Sequence, residues 1–228
     1  MLRLAAAAER HLWPQQHPLR QLEAPNAFGG AGSCGGHHGG GGLPADVLHR
    51  LEERGEAASM GRLADMSAAE LGALSRSNAA IGARIADAVA AFPRLELSAS
   101  VQPITRSVLR VSLHAGAPFA WRDAHHGGAL RWHIWVEDQA NEHIYHHEVL
   151  TLTKRMHAAG GAQLAFTIPV FDPMPPQYYV RAVCESWLDA EALLELSLRS
   201  VVLPGGAPSH AELLLSLHST YLSTLRYQ

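Results

Sequence analysis

The sequence predicts an α+β chain in which a small helical bundle is followed by an antiparallel β-sandwich. Two changes of pattern lead to this prediction. Between about residues 43 and 93, apolar side chains recur at the 3.6-residue spacing of helices. From Leu95 to Leu203 they alternate with polar side chains, in seven runs separated by turns rich in Pro and Gly. Seven short strands of this kind are typical of a sandwich, and helices before strands indicate domains in series.

The first helices are predicted from short apolar patterns and from the residues that interrupt them. Residues 2–12 form a short helix, which Trp13-Pro14 ends because proline disfavours helical backbone at the residue before it. Pro44 suits the first position of the next helix, and Gly55 is its stop. A further short helix is predicted at about residues 59–65.

The last two predicted helices carry clear signals where they begin. Ser67-Ala68-Ala69-Glu70 has the spacing of a capping box and opens a helix that runs to about Arg76. Ser77 or Asn78 then caps a longer helix, which Pro93 ends. The apolar side chains of this longer helix share one face: Ile81, Ile85, Ala88, Val89 and Phe92.

The strands follow from the two-residue alternation. In the third run, for example, Trp132, Ile134 and Val136 occupy one side of the strand and the residues between them occupy the other. The predicted strands are Leu95–Gln102, Leu109–Leu113, Trp132–Glu137, His143–Thr153, Gln163–Pro169, Gln177–Val183 and Leu193–Leu203.

The composition indicates a soluble globular protein. Of its 228 residues, 47% are hydrophobic and 17% are charged, and the net charge of −3 gives no basic field that would attract nucleic acid. Cys34 and Cys184 are far apart, so we expect a reducing compartment rather than a disulfide framework. Residues 1–8 are too short for a signal peptide, and no apolar run reaches membrane-spanning length. We therefore expect a location in the nucleus, the cytoplasm or both, and no membrane partner.

The sequence shows no signature of an enzyme. Lys154 is its only lysine and is not preceded by glycine, so the phosphate-binding motif G-x-x-x-x-G-K-[ST] is missing. The nucleophile motif G-x-S-x-G is missing as well. We therefore assign no catalytic residue and no cofactor, and we expect no ATP hydrolysis by this chain.

Three groups of potential metal donors do not form a predicted site. Cys34–His38 places one Cys and two adjacent His in a run of glycines, which is short of four positioned ligands. His146 and Glu148 face one side of a strand while His147 faces the other, and His125-His126 lies in a loop. We predict no metal ligand.

The aromatic residues are interpreted as core or sheet-face residues rather than as stacking partners for bases, because most of them lie in alternating strands. They are Trp121, Trp132, Trp135, Tyr178, Tyr179 and Trp187.

Four strings carry a resemblance to a known family. Ser98–Arg106, Trp132–Asp138, His143–His146 and Pro175–Val183 resemble the C-terminal part of the Sec-63 homology unit, which follows the motor domains of large superfamily 2 helicases. The second and third strings are most similar to the branch of the helicase subunit of the activating signal cointegrator 1 complex. The spliceosomal helicase branch is the alternative.

The resemblance covers about residues 43–203, together with residues 13–21, and implies a division of the chain. Residues 1–28 would be a remnant of a preceding helical bundle, 29–42 a flexible insert rich in Gly and His, and 43–93 a helix–loop–helix domain. Residues 94–204 would be an immunoglobulin-like or fibronectin-like β-sandwich, and 205–228 an irregular C-terminal tail.

The resemblance also implies partners and candidate contacts. It makes the chain a helicase fragment or a stand-alone derivative, whose partners are helicase motor domains or complex subunits and single-stranded RNA or DNA. The nucleic-acid-binding candidates are Arg76, Gly82 and Arg84, in which the arginines reach phosphates and the glycine permits close approach. The alternative is that the glycine serves helix packing and the arginines are solvated. Residues 43–93 contain five Arg against seven Asp or Glu, which favours a protein-interaction adaptor without nucleic-acid contact.

Overall fold

A computed structural model gives the fold. The ranges of the chain that it describes are 2–13, 15–22, 42–138, 143–170 and 177–198. The predictions made for the glycine-rich insert, for the Pro175-Pro176 part of the fourth string and for the tail from residue 205 lie outside these ranges.

Seven α-helices lie in the described ranges, and the caps predicted for two of them are confirmed. Ser67 accepts a hydrogen bond from the backbone of Glu70, whose carboxylate accepts one from the Ser67 backbone, and this completes the capping box. Asn78 caps the next helix through the backbone N–H of Ile81 at 2.9 Å. The helices are α1 Leu2–Glu9, α2 Ala45–Glu53, α3 Met60–Asp65, α4 Ala68–Leu74, α5 Ala79–Ala91, α6 Asp123–His126 and α7 Lys154–Ala158.

All seven predicted strands are present, with ends that differ by at most a few residues where the structure describes them. In the first strand every second side chain is half-buried and the others are exposed, so the two-residue period continues through the whole strand. Leu95, directly before this strand, is buried. The strands are β1 Glu96–Pro103, β2 Val108–Gly116, β3 Ala129–Asp138, β4 Ile144–Thr153, β5 Ala162–Pro169, β6 Gln177–Cys184 and β7 Glu191–Ser197.

The strands form two sheets. One has three strands in the order β1-β2-β5, and the other has four in the order β4-β3-β6-β7. The pairs β1–β2, β2–β5 and β6–β7 are antiparallel, with Val111 of β2 opposite both Val101 and Phe166. The predicted antiparallel sheet content is therefore confirmed.

The chain forms two compact units. The described residues of the first, the helical unit, come from Met1–Pro93, Phe119–Leu130 and Cys184–Ala190. Those of the second, the sheet unit, come from Arg94–Pro118, Arg131–Val183 and Glu191–Gln228. Each unit has its own fully buried side chains. They include Leu48, Leu51, Leu71 and Ile85 in the helical unit, and Val111, Trp132, Ile134 and Tyr178 in the sheet unit.

Some local predictions were wrong. The first helix ends at Glu9, and His11 after it has a left-handed backbone with φ 52°. Pro44 is the N-cap residue of α2 and not its first helical residue. The helices α6 and α7 were not predicted, because four or five residues are too few to show a 3.6-residue pattern.

The burial of the six Trp and Tyr side chains tests their interpretation as core or sheet-face residues. Trp132, Tyr178 and Trp187 are buried, which confirms their interpretation as core residues. Trp121, Trp135 and Tyr179 are half-buried. No helix among the described residues is long and apolar enough to cross a membrane.

Candidate functional site

The helices α4 and α5 approach each other closely because two glycines face the contact. A Cβ atom on Gly82 would overlap the carbonyl oxygen of Ala68 and lie 2.8 Å from the backbone nitrogen of Gly72. A Cβ atom on Gly72 would lie 3.0 Å from the carbonyl oxygen of Asn78. Both glycines are buried. The contact supports the packing interpretation of Gly82, since its Cα is covered by protein backbone.

The turn between these helices is held from outside by one arginine. Nη1 of Arg50 donates to the carbonyl oxygens of Ser75 at 2.9 Å and Arg76 at 3.0 Å, and to Oγ of Ser77 at 3.2 Å. Nη2 of Arg50 pairs with Asp46, one turn earlier in α2. Arg76 itself has φ 50°, a left-handed conformation that is uncommon for a residue with a side chain. These bonds to carbonyl oxygens fix the turn in that conformation.

The two candidate arginines are exposed. Arg76 lies in the turn, and Arg84 lies on α5, on the side away from Gly82. The Arg84 guanidinium donates to the carbonyl oxygen of Gly42. Guanidinium groups in such positions can pair with phosphate oxygens, because they are charged at every physiological pH and donate in a planar fork.

A partly buried ion pair fixes an earlier segment of the helical unit. Nε and Nη2 of Arg20 donate to the two carboxylate oxygens of Glu52 at 2.6 and 3.1 Å, and the backbone N–H of His17 donates at 3.0 Å. The Arg20 hydrogen bond is the main reason that the pKa of Glu52 falls to about 2. The His17 ring is buried, with Nε2 2.8 Å from the Ala58 carbonyl oxygen, and burial lowers its pKa.

A buried histidine joins distant parts of the helical unit. Nε2 of His126 is 2.9 Å from the Ala91 carbonyl oxygen, and Nδ1 accepts a hydrogen bond from the backbone N–H of Arg122 at 2.8 Å. These partners fix the neutral ring as the Nε2–H tautomer. Aromatic rings surround it, with centroids 5.2 to 5.5 Å away: Phe119, Trp121 and Trp187.

The segment 184–190 is bound by two side chains from the N-terminal part of the helical unit, Arg10 just after α1 and Gln21. The guanidinium of Arg10 lies 4.4 Å from the ring centroid of Trp187, and its Nε donates to the Ser186 carbonyl oxygen at 2.7 Å. The Gln21 side chain donates to the Leu188 carbonyl oxygen at 3.0 Å and accepts from the Leu188 N–H at 2.8 Å. Burial raises the pKa of the Cys184 thiol to about 11, so this thiol is not a reactive nucleophile.

The four-stranded sheet combines a buried charge with exposed apolar side chains. Glu137 is 8% exposed and accepts from Nε of Arg181 at 3.0 Å and from Nε1 of Trp135 at 2.6 Å. Three apolar side chains of this sheet are open to solvent, since Ile144 is 65%, Leu193 is 54% and Val149 is 40% exposed. A partly apolar surface with a fixed ion pair is suited to protein contact.

The histidines of β4 point as the alternation predicts. Nε2 of His146 is 3.8 Å from Oε2 of Glu148, and the His146 ring stacks on Phe166 at 4.1 Å. His147 instead contacts His133 of β3, with Nε2 3.2 Å from Nδ1. Among the residues that the structure describes, no three His, Cys, Asp or Glu side chains are grouped to hold a metal ion.

Sequence reasoning missed the residues that join distant segments. Arg50, Gln21 and His126 have no local signature for this role, because the distant segments that they contact are 25 to 167 residues away along the chain. Only Trp187 among these contacts was anticipated, as one of the aromatic residues interpreted as core or sheet-face residues.

Comparison with known proteins identifies the family. The family model described as "Sec63 Brl domain" matches residues 1–197, so the chain belongs to this family. It is 44% identical over 214 residues to the DExH-box ATP-dependent RNA helicase DExH14 of Arabidopsis thaliana, covering 94% of this chain and 9% of that protein. It is 38% identical over 216 residues to the activating signal cointegrator 1 complex subunit 3 of Homo sapiens, with the same two coverages.

The chain is also similar to a second plant helicase and, in part, to a solved bacterial sensor domain. The DExH-box ATP-dependent RNA helicase DExH12 of Arabidopsis thaliana is 37% identical over 213 residues, covering 93% of this chain and 9% of that protein. The chain thus spans about a tenth of the length of these relatives. The solved sensor domain of the anti-sigma factor RsgI4 of Pseudobacteroides cellulosolvens matches 45% of this chain and 92% of its own length, at 16% identity and a TM-score of 0.31.

Proposed function

We propose that this chain is a non-catalytic accessory module of an RNA or DNA helicase, of the cointegrator-complex type. The family match over residues 1–197 carries this proposal. The similar proteins are named as ATP-dependent RNA helicases or as a cointegrator complex subunit. The proposed partners are therefore helicase motor domains and complex subunits.

We further propose that the sheet unit is an immunoglobulin-like or fibronectin-like sandwich within residues 94–204. The two sheets, β1-β2-β5 and β4-β3-β6-β7, support this proposal. The chain changes sheet three times, between β2 and β3, between β4 and β5, and between β5 and β6, as chains in such sandwiches do. The helix–loop–helix domain would be residues 43–93, after the remnant 1–28 and the insert 29–42.

The helix–loop–helix domain is proposed to guide a single nucleic-acid strand. Arg76 and Arg84 supply the phosphate contacts, and their exposure supports this role. Gly82 acts indirectly, because the close approach of α4 and α5 determines where both arginines lie.

The test is a titration of labelled single-stranded RNA at low salt. Changing Arg76→Glu and Arg84→Glu together should weaken binding and reduce the slope of log K against log salt by about 1.4, since each lost phosphate contact on a single strand removes about 0.7. The matched control is Arg54→Glu with Arg62→Glu, which makes the same charge change at exposed positions of the same unit.

Equal weakening by both pairs would indicate a general charge effect and contradict the named contacts. No binding by the unchanged protein would favour the second candidate function, a protein-interaction adaptor without nucleic-acid contact. The excess of acidic over basic residues in 43–93 and the exposed Leu193 and Val149 favour that candidate. It predicts that Leu193→Asp reduces co-purification with the motor region of the Arabidopsis DExH14 relative, while Leu4→Asp, at an exposed site of the helical unit, does not.

A further inference from the structure

His133 and His147 form a pair of imidazoles on neighbouring strands of the four-stranded sheet. Nδ1 of His133 is 3.2 Å from Nε2 of His147, and the ring planes differ by 14°. We propose that these two nitrogens chelate a divalent transition metal ion of the kind that prefers imidazole, such as zinc, copper or nickel. The inference does not depend on the proposed helicase role.

The distance between the two nitrogens fits a shared metal ion. With metal–nitrogen bonds of about 2.0–2.1 Å, two ligands are about 2.9 Å apart at a right angle and about 3.3 Å apart in a tetrahedron. The observed 3.2 Å lies between these values. Binding therefore requires rotation of the rings and little movement of the backbone.

The sheet limits how far the two rings can separate. His133 lies between Trp132 and Ile134, both fully buried, so its own side chain is directed to the outward face of β3. His147 occupies the adjacent strand and is exposed. A strand backbone held by its neighbours costs less entropy to order than a loop, which favours chelation.

The proton between the rings does not prevent binding. In the metal-free pair one ring nitrogen donates to the other, and a neutral imidazole can carry its proton on either nitrogen. Each ring can therefore keep its proton on the nitrogen that faces away from the metal. The torsion that turns the ring, χ2, is broad, so aiming both lone pairs at one ion is cheap.

Other histidines of the chain could compete with this pair for the metal ion. His146 near Glu148 and His143 near Asp138, at 3.8 and 3.7 Å, each offer one imidazole and one carboxylate. The sequence also contains Cys34 and His37-His38. The test is therefore made in the full chain with His37→Ala and His38→Ala, so that only the remaining donors compete.

The experiment is a calorimetric titration with nickel ions. His133→Asn and His147→Asn should each weaken binding about tenfold or more, because each removes the intramolecular second ligand. The double variant should be little weaker than either single variant, since one remaining imidazole gives no chelation. His114→Asn is the matched control, because it removes an exposed strand histidine from β2 and should leave the affinity unchanged.

Two readouts separate chelation from loss of fold. Circular dichroism should be the same for all variants, and nickel at a concentration near the dissociation constant of the parent should raise the melting temperature of the parent more than that of either single variant. Unchanged affinity in both single variants, or losses that add in the double variant as for two independent sites, would overturn the proposal.

Discussion

The helical unit and the sheet unit differ in the kind of internal contact that stabilises each of them. In the sheet unit, regular ladders join the strands, as where Val108 to Ala115 of β2 lie opposite Pro169 to Ala162 of β5. In the helical unit, single side chains close contacts between distant segments, as Gln21 does with Leu188. A ladder distributes its hydrogen bonds over many residues, whereas each long-range contact depends on one side chain. The helical unit should therefore be more sensitive to single substitutions.

The largest effect is expected at the glycine contact between α4 and α5. In Gly82→Ala the new methyl group overlaps the Ala68 carbonyl oxygen, and backbone cannot move aside as a flexible side chain can. We expect a loss of about 3 kcal/mol in the free energy of unfolding, since overpacking at backbone contacts is at the high end of its range. Urea unfolding followed by circular dichroism measures it.

The matched control for this prediction is Gly61→Ala in α3. A Cβ atom there meets no atom within 4 Å, so alanine should be neutral or stabilise the protein by up to about 1 kcal/mol. Similar losses at Gly61 and Gly82 would show that the contact does not determine the effect.

The next largest effect is expected at the buried histidine. His126→Ala removes both ring hydrogen bonds and leaves a space among three aromatic rings. We expect a loss of about 2–3 kcal/mol, because a buried and a partly buried backbone group lose their partner. His125→Ala changes the neighbouring, less buried histidine and should cost less than about 1 kcal/mol. Equal losses would contradict the special role given to His126.

The contrast between regular local patterns and single long-range contacts also explains which features could be predicted from the sequence. Alternation and capping are local signals, so the seven strands and the caps at Ser67 and Asn78 were found within a few residues of their positions. His126 and Gln21 act through contacts between segments that are distant along the chain, and no pattern in the sequence predicts such contacts. The candidate arginines Arg76 and Arg84 are exposed. The burial of Gly82 could not be predicted from the sequence, because it depends on how closely α4 and α5 approach each other.

Acid should weaken the helical unit in two stages. His17 is buried with a lowered pKa, so protonation of the unfolded chain below pH 6.5 favours unfolding. Glu52 has a folded pKa of about 2 against an ordinary 4.5, so its contribution is present above pH 4.5 and is lost as the pH falls towards 2. Thermal unfolding between pH 7 and 3 measures both stages.

Substitutions assign each stage. His17→Gln should reduce the dependence that begins near pH 6.5, to which the lowered pKa of His125 also contributes, and Glu52→Gln should reduce the part below pH 4.5. Glu56→Gln makes the same substitution at an exposed position of the same unit and is the matched control. A Glu52→Gln profile parallel to that of the unchanged protein would contradict the assignment.

The smallest loss of unfolding free energy is expected at helix caps, which can be compared between the two units. Ser67 caps α4 with reciprocal bonds to Glu70, whereas Thr153 caps the five-residue helix α7 with a single bond to the Met156 N–H at 3.3 Å. Ser67→Ala should cost about 1 kcal/mol, and Thr153→Ala about half of that, because the second cap satisfies fewer backbone groups. Urea unfolding of the two variants measures the difference. A larger loss at Thr153 would mean that the sheet unit, despite its ladders, depends on single side chains as strongly as the helical unit does.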